Sequence, residues 1–310
     1  MAHAGDFGTP EKKCPHPQRS EADRSGQRRT PLDGDFDLRI ISLGAGVQSS
    51  ALYRMAVMGE IGPTPDYAIF ADTQSEPYWV YKNLDAMEKW GDVPILRASI
   101  GSLGEAVKAG ANSTGGLFAS VPFWVEGEDG RASLGRRQCT REYKIDVVTQ
   151  QIRSLLGLKK GERAAGKFSV EQWIGISVDE VQRASPSRIK WITSRWPLLF
   201  DKPMRRYEIK EWMAAKGFSI PGKSACTFCP YRKAVEYAKW REDEPALFEE
   251  ACQWDDLIRS KGTMKGTRAQ QYIWRELKPL RELPPLAELE GKDEAQIDLF
   301  NNECEGMCGV

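Results

Sequence analysis

The amino-acid sequence predicts an α/β fold in which a parallel sheet is flanked by helices. In the first third of the chain, three short apolar segments alternate with two segments whose apolar residues have helical spacing. Strands that alternate with helices in this way pair through right-handed crossovers, which makes the sheet parallel. Hydrophobic residues make up 41% and charged residues 28% of the chain, which is typical of a globular protein.

Each predicted element has a boundary that can be read from the sequence. The first strand, Leu38–Leu43, ends at Gly44, and the second, Tyr67–Ala71, ends at Asp72. Apolar spacing predicts helices over 47–58 and 78–90, and a third strand over 94–98. Further along, the sequence predicts a hairpin over 123–136 with its turn at 128–130, a central strand over 172–177, and helices over about 140–156, 205–216 and 244–260.

The N-terminal segment up to about Asp35 is rich in Gly, Pro, Ser and charged residues and has few aliphatic ones. Such a segment buries too little apolar surface to offset the entropy of ordering it, so we predict a disordered tail over 1–35. The chain has no stretch of ~18 apolar residues that could span a membrane, and no apolar region follows its N-terminal basic residues as in a secretory signal. We therefore expect a cytoplasmic protein without membrane contact.

Charge, histidine and cysteine content limit the chemistry. Lys plus Arg and Asp plus Glu number 44 each, so no overall basic excess favours nucleic-acid binding. The two histidines, His3 and His16, lie in the predicted tail, which argues against a Ser-His-Asp triad and a His-ligated zinc. Seven cysteines, an odd number, favour metal binding or redox chemistry over a disulfide framework.

A glycine-containing segment, Gly44–Ser50, connects the first strand to the first helix. Glycines let the backbone approach an anion, and a helix N-terminus supplies N–H groups and a favourable dipole. The segment lacks the Gly-Lys-Ser/Thr ending of a Walker loop. It is therefore a candidate phosphate loop, with a tight turn that binds no ligand as the alternative.

The segment Ser42–Ser50 resembles the PP-loop of ATP pyrophosphatases and phosphoadenosine phosphosulfate (PAPS) reductases, in which the first strand ends in Ser-Gly-Gly-x-Asp-Ser. Gly46 and Ser49 match this pattern, whereas Gly44, Ala45 and Gln48 replace its Ser, Gly and Asp. Three more motifs resemble those of the PAPS reductase family and occur in the same order, and the likeness extends over about residues 38–232. These motifs are Phe70–Pro77, Gly175–Arg183, and Trp196–Leu199 with the helix that follows it.

The resemblance implies a Rossmann-like fold of the adenine nucleotide alpha-hydrolase type. It implies a nucleotide-binding domain over 36–222 and a helical, cysteine-bearing region over 223–310. The implied ligand is an adenine nucleotide, either ATP or PAPS and its unphosphorylated form APS, with Mg²⁺ as a further candidate. The implied nucleotide-binding residues, with Asp72 on the ribose or base side, are Ser42, Gly44, Ala45, Gly46, Gln48, Ser49, Ser50, Asp72 and Gly175.

Cys226 and Cys229 form a C-x2-C pair followed by Pro230, a spacing found around iron–sulfur clusters and in structural zinc half-sites. In iron–sulfur members of the PAPS reductase family, a cysteine pair near the position of Cys139 joins such a motif to hold a [4Fe–4S] cluster. The resemblance therefore implies that Cys139, Cys226 and Cys229 are metal ligands, with zinc as the alternative metal. Cys308 would be the fourth ligand and Cys304, in an ending that resembles Glu-Cys-Gly, the nucleophile; the reverse assignment of Cys304 and Cys308 remains open.

Four basic residues, Arg137, Arg141, Lys144 and Arg183, are candidates for binding a sulfate, phosphate or acyl-adenylate group. A solvated helix face is the alternative for the first three. The resemblance implies a sulfonucleotide reductase or a sulfurtransferase that works with a thiol or a sulfur-donor protein. Two alternatives remain: an ATP-dependent thiolase that acts on tRNA or DNA, and a nucleotide sensor without catalytic activity.

Overall fold

The structure of the protein is a computed structural model that describes residues 35–111, 121–135, 137–261 and 270–293. The predicted tail, with Cys14, and the C-terminal segment, with Cys304 and Cys308, lie outside the described residues. Within these ranges, no helix is long and apolar enough to cross a membrane.

The predicted α/β fold is confirmed, because five parallel strands form one sheet in the order β3–β2–β1–β6–β7. A second sheet joins three short antiparallel strands in the order β5–β4–β8. In chain order the strands are β1 (Leu38–Leu43), β2 (Tyr67–Ala71), β3 (Ile95–Ala98), β4 (Trp124–Glu126), β5 (Ala132–Leu134), β6 (Val170–Ile174), β7 (Ile192–Arg195) and β8 (Gln271–Tyr272).

Helices connect these strands and continue after them. In chain order the α-helices are α1 (Val47–Val57), α2 (Tyr78–Trp90), α3 (Leu103–Ala109), α4 (Asp146–Leu155), α5 (Pro197–Phe200), α6 (Arg206–Ala215), α7 (Ala234–Asp243), α8 (Pro245–Lys261) and α9 (Leu286–Asp293). A π-helical turn at Arg141–Ile145 leads directly into α4. Two 3₁₀ turns span Val178–Arg183 and Leu280–Glu282.

Helices cover both faces of the parallel sheet. Successive side chains of a strand point to opposite faces, and in β1 both Ile40 and Ile41 are fully buried. Ile41 belongs to a core shared with α1, α2 and α6, whereas Ile40 belongs to a core shared with α4. Burial on both faces explains why β1 has apolar residues at adjacent positions, such as Ile40 and Ile41, rather than in strict alternation.

A separate apolar core lies beside the sheet and includes the three described metal-ligand candidates. Cys226 and Cys229 are buried in it, and Cys139 packs against it from the side. Its other members come from α3, the hairpin, α7, α8 and the segment around Leu280. The arrangement places these cysteines outside the parallel sheet but in contact with the loops that leave it.

The structure corrects several predicted boundaries. The central strand is Val170–Ile174, so the predicted strand 172–177 begins two residues too late and extends over Gly175 and Ser177, which follow the strand. The chain turns there because Ile176 N donates a hydrogen bond to Ile174 O. The helix α3 and the edge strand β7 were not predicted from the sequence. The hairpin around 128–130 and α2 lie where they were predicted.

Candidate functional site

The candidate phosphate loop lies at the carboxyl end of β1, the central strand of the sheet. Gly44, Ala45 and Gly46 follow the strand, and α1 begins at Val47. Gly44 N donates to the hydroxyl of Ser49 at 3.2 Å, which closes the turn over the first residues of the helix. The Ser42 hydroxyl is held from β6 by the Gln172 amide at 2.5 Å. In open parallel sheets, ligands bind at such carboxyl ends, where strand order changes direction.

Asn83 on α2 forms hydrogen bonds to the phosphate loop. This role of Asn83 was not predicted from the sequence. Its amide nitrogen donates to Ala45 O at 3.0 Å and to the Ser50 hydroxyl at 2.9 Å. Its oxygen accepts from the Arg54 guanidinium at 3.2 Å, and burial lowers the pKa of Arg54 to about 10. Ala45 has a φ of +58°, a left-handed conformation that is unfavourable for alanine. The hydrogen bond from Asn83 to Ala45 O holds the backbone in this left-handed conformation.

Gln48, which replaces the acidic residue of the PP-loop pattern, is buried in a polar network. Its oxygen accepts from the Arg206 guanidinium at 2.9 Å, and its nitrogen lies 3.5 Å from the Ser177 hydroxyl. Arg206 N, at the start of α6, donates to Asp179 at 2.7 Å. Burial lowers the pKa of Arg206 below its ordinary value, and Glu180 opposes that shift. The first turn of α1 therefore bears a neutral amide beside a guanidinium.

Gly175 lies where β6 ends against the phosphate loop. A Cβ placed on Gly175 would lie 3.0 Å from Ser49 N and Cα and 3.2 Å from Gln48 C, which are all backbone atoms. Only glycine therefore allows the two segments to approach so closely. The predicted role of Gly175 at the nucleotide site stays a prediction, and its place next to the loop is a finding.

We predict that Gly175→Ala lowers the free energy of unfolding by about 1–3 kcal/mol, because rigid backbone atoms must move to admit the methyl group. Gly46→Ala is the matched control for stability, since its Cβ would lie 3.7 Å from the nearest atom, an ordinary contact. Urea denaturation measures both changes. Equal stability of the two variants would contradict the close approach at Gly175.

Asp72 lies at the carboxyl end of β2, next to the phosphate loop. Its carboxylate accepts from Gln74 N at 2.7 Å and from the Tyr81 hydroxyl at 2.9 Å. Burial, together with Asp72 itself, raises the pKa of Tyr81 above its usual range. Both contacts orient the carboxylate, which is partly exposed. The position is compatible with the predicted contact to the ribose or base side of a nucleotide.

Cys139, Cys226 and Cys229, although distant in sequence, line one pocket. The pocket contains about 410 Å³ of unfilled space, including its open mouth. Lys144 and Thr73 also line it, and most of the remaining lining is apolar. Cys252, by contrast, is fully buried on α8 and does not line the pocket. The C-x2-C segment 224–230 and Cys139, which lies just before the π-helical turn, thus meet at one pocket, and their role as metal ligands stays a prediction.

The C-x2-C segment is attached to the loop that follows β2. Thr227 N donates to Ser75 O at 3.0 Å, and Trp79 donates from its indole nitrogen to Lys223 O at 3.3 Å. The Thr73 hydroxyl lies 3.5 Å from the sulfur of Cys226. Burial raises the pKa of the Cys226 thiol well above its usual range, Glu76 adds to the rise, and Lys144 opposes it.

A buried ion pair connects the cysteine pocket to the phosphate loop. The Lys144 ammonium lies 3.3 Å from the Glu76 carboxylate, whose side chain is fully buried. The other Glu76 oxygen accepts from the Ser224 hydroxyl at 3.5 Å. Ser224 also lies next to the phosphate loop, since a Cβ placed on Gly46 would lie 3.7 Å from the Cβ of Ser224. The two candidate sites are therefore neighbours, joined by Ser224, Glu76 and Lys144.

We predict that Glu76→Gln lowers the free energy of unfolding by about 3–5 kcal/mol, because it removes the buried carboxylate charge that pairs with the Lys144 ammonium. The double variant Glu76→Gln/Lys144→Met removes both charges and should recover most of this loss. Urea denaturation of the two single variants and the double variant gives the coupling energy. Additive losses in the double variant would show that the two side chains do not stabilise each other.

The four basic candidates have different environments. Lys144 lines the cysteine pocket, and Arg137 packs over the Tyr231 ring at 4.8 Å and donates to Thr140. Arg141 has a side chain that is 82% exposed and lies 3.9 Å from Asp146. The Arg183 guanidinium lies 2.9 Å from the buried Glu180 carboxylate, with which an anion at Arg183 would have to compete. Lys144 thus lines the cysteine pocket itself, and Arg137 packs against Tyr231, which also lines it.

The sulfur donors of the pocket are of the type that binds either an iron–sulfur cluster or a single zinc ion. Among the described residues, no group of three or more His, Cys, Asp or Glu side chains is arranged to hold one metal ion. A cluster binds each cysteine at a different iron, so its ligands lie further apart than the four around one zinc. Three cysteines around an apolar pocket fit that donor set, and Cys308, the predicted fourth ligand, lies outside the described residues.

Comparison with known proteins gives a similarity of fold. A solved structure of phosphoadenylyl-sulfate (PAPS) reductase from Candida auris, in a phosphate complex, aligns with 60% of this chain and 75% of its own chain, with 13% sequence identity and a TM-score of 0.38. No protein-family model matches this chain, and no curated protein matches it.

Proposed function

We propose that the chain is an enzyme of the PP-loop type that binds an adenine nucleotide and carries out sulfur chemistry, as PAPS reductases do. The observation that supports this function is the proximity of the phosphate loop to the cysteine pocket, with Ser224, Glu76 and Lys144 between them. A nucleotide whose phosphates bind at Gly44–Ser50 would have its reactive end close to the thiols. Neither site alone would favour this function over simple anion or metal binding.

The favoured reaction is reduction of a sulfonucleotide, PAPS or APS. In the proposed first step, the thiolate of Cys304 attacks the sulfonyl sulfur, and the bond from that sulfur to the phosphate oxygen breaks. The nucleotide leaves with the electron pair, and the enzyme holds an S-sulfocysteine. One thiolate of a dithiol donor protein then attacks the Cys304 sulfur, which breaks the bond from that sulfur to the sulfonate, releases sulfite and leaves a mixed disulfide. The second thiolate of the donor attacks this mixed disulfide, so that Cys304 leaves as a thiolate and the donor is oxidised to a disulfide.

Gln48 favours a sulfonucleotide over Mg²⁺-ATP as the substrate. A carboxylate at this position would help to hold Mg²⁺ against the phosphates. The amide of Gln48 instead lies beside the Arg206 guanidinium, 2.9 Å away, so this position carries no carboxylate ligand for Mg²⁺. We therefore expect nucleotide binding to persist in excess EDTA.

Cys139, Cys226 and Cys229, with Cys308, would hold a [4Fe–4S] cluster in this proposal. Such a cluster, when bound, supplies a redox-active charged group beside the nucleotide. The described residues around it have roles of their own: Lys144 places a positive charge at the pocket, and the apolar lining limits the access of water. Zinc bound by the same cysteines would provide structure without redox chemistry.

The test is an assay of the protein purified without oxygen. Iron, zinc and labile sulfide are measured with the visible spectrum, and the protein is then incubated with PAPS or APS and a dithiol donor. We expect sulfite and the released nucleotide in equal amounts. Gly175→Ala serves as the comparison for the nucleotide site, because it should weaken nucleotide binding without altering the cysteines.

Other outcomes distinguish the alternatives. Pyrophosphate release from ATP, without sulfite formation, would support the ATP-dependent thiolase that acts on tRNA or DNA. Tight nucleotide binding without turnover of PAPS, APS or ATP would support the sensor. Zinc without sulfide would leave the cysteines as a structural site and exclude the cluster from the proposal.

A further inference from the structure

The cysteine segment 224–230 is held from behind by side chains that do not line the pocket. Its carbonyl oxygens accept hydrogen bonds from α7, from the turn before α7 and from the hairpin. Arg232 donates from its guanidinium to Ala225 O at 2.7 Å, and Trp124 donates from its indole nitrogen to Pro230 O at 3.1 Å. Carbonyl groups that are satisfied outside the pocket keep the segment in one conformation.

Tyr237 makes the central contacts of this support. Its hydroxyl lies 3.1 Å from Thr227 O and 3.1 Å from Cys229 O, which are on either side of Phe228. The residue is 1% exposed, and burial raises the pKa of Tyr237 well above its usual range, so the phenol keeps its proton. A single hydroxyl therefore bridges the two carbonyls within and at the end of the C-x2-C motif.

We propose that Tyr237 is a positioning residue that fixes Cys226 relative to Cys229 before a metal binds. This inference rests on the proposed function, in which these cysteines are ligands. If the segment were free to rearrange, metal binding would have to order it, at a cost in affinity. A hydroxyl that already holds both carbonyls removes that cost, as hydrogen bonds behind metal ligands do in other sites.

Arg232 supports the same geometry from a second direction. Its backbone N–H donates to Cys229 O at 3.0 Å, so this carbonyl is shared between Arg232 and Tyr237. The Arg232 guanidinium is buried, packs over the Trp240 ring at 4.3 Å and lies 3.7 Å from Glu236. Substitution of Arg232 would remove a charge and packing as well as a hydrogen bond, which makes Tyr237→Phe the cleaner test.

Tyr143→Phe is the matched control. Tyr143 is also buried in the apolar core around the cysteines, and its hydroxyl makes no hydrogen bond among the described residues. Both variants lose one hydroxyl from a buried ring. A difference between them therefore reports the bridge at Tyr237 and not the general loss of a phenol.

The first measurement uses the protein with the metal it carries after purification without oxygen. Release of that metal to EDTA is followed by its visible spectrum or, for a colourless metal, with a chromogenic chelator. We expect Tyr237→Phe to release metal about tenfold faster than wild type, the lower end of the effect of second-layer substitutions. Tyr143→Phe should match wild type. Equal release rates for both variants would overturn the proposal.

The second measurement uses metal-free protein and does not depend on the identity of the metal. N-ethylmaleimide labelling is quantified for each cysteine by mass spectrometry. Tyr237→Phe should speed labelling of Cys226 and Cys229 about tenfold while the fully buried Cys252 stays slow. Equal acceleration of Cys252 would indicate global loosening and overturn the positioning role. If wild type carries no metal, the ligand role in the proposed function fails, and this labelling still decides the role of Tyr237.

Discussion

Cys226→Ala is expected to reduce the bound metal to below roughly a tenth of the wild-type amount, because metal binding and folding of such sites are strongly coupled. Cys226 is buried, and its sulfur lines the pocket together with those of Cys139 and Cys229. Removal of one sulfur leaves a ligand position that the apolar lining cannot fill. Iron, zinc and sulfide analysis of protein purified without oxygen measures the loss.

Cys252→Ala provides the control for Cys226→Ala. Cys252 is equally inaccessible, but it lies on α8 and does not line the pocket. Cys252→Ala should retain the metal, and its free energy of unfolding should fall only by the packing contribution of the lost sulfur. If both variants kept the metal, or both lost it, the pocket would not be the metal site.

The same burial gives metal uptake a defined pH dependence. Burial raises the pKa of Cys226, so the thiol keeps its proton at neutral pH and must release it to bind a metal. Apparent affinity should therefore increase as the pH rises. In the metal-free protein, the free energy of unfolding should fall above pH about 8.5, the usual thiol pKa, because the unfolded chain loses this proton first.

Cys304→Ser is expected to reduce sulfonucleotide turnover by roughly 10³-fold or more, because a serine hydroxyl is a far weaker nucleophile than a thiolate at neutral pH. In the proposed division of roles, this variant should still bind its nucleotide and its metal. Sulfite formation measures the first effect, and calorimetric nucleotide binding with metal analysis measures the others.

Cys308→Ser separates the two roles of the C-terminal cysteines. As a ligand variant it should lose metal, and with it activity, whereas Cys304→Ser should lose activity alone. If Cys304→Ser lost the metal and Cys308→Ser lost activity alone, Cys308 would be the nucleophile and Cys304 the ligand. Full activity in both variants would remove the C-terminal cysteines from the mechanism.

The central strands and the turn between β1 and α1 could be predicted because their signals are local. An apolar run followed by glycines and a helical pattern identifies β1, Gly44–Ser50 and α1 within about twenty residues of sequence. The helix α3 also has a local signal that was missed, since Ser102 caps it and accepts from Glu105 N at 3.2 Å, as in a Ser-x-x-Glu motif. The edge strand β7 has no such signal, because Ile192 is its only buried residue.

The supporting residues of the candidate site could not be predicted, because their roles depend on contacts between distant segments. Asn83 reaches back 38 residues to Ala45 O, and Gln48 meets Arg206 across 158 residues. Glu76 is an ordinary acidic residue in sequence, and only the fold surrounds it with Lys144 and Ser224. The cysteines were recognisable from their type and spacing, whereas the side chains that hold them were not.

The hydrogen bond from Asn83 to Ala45 O affects the entropy of ligand binding that is expected at this loop. Asn83 on the neighbouring helix α2 maintains the strained backbone at Ala45. The phosphate loop therefore does not need a bound anion to adopt this conformation. In the proposed function, a nucleotide that binds at Gly44–Ser50 would lose its own freedom but would not have to order a mobile peptide segment. Calorimetry should therefore record a smaller unfavourable entropy for wild type than for a protein in which residue 83 has lost its amide.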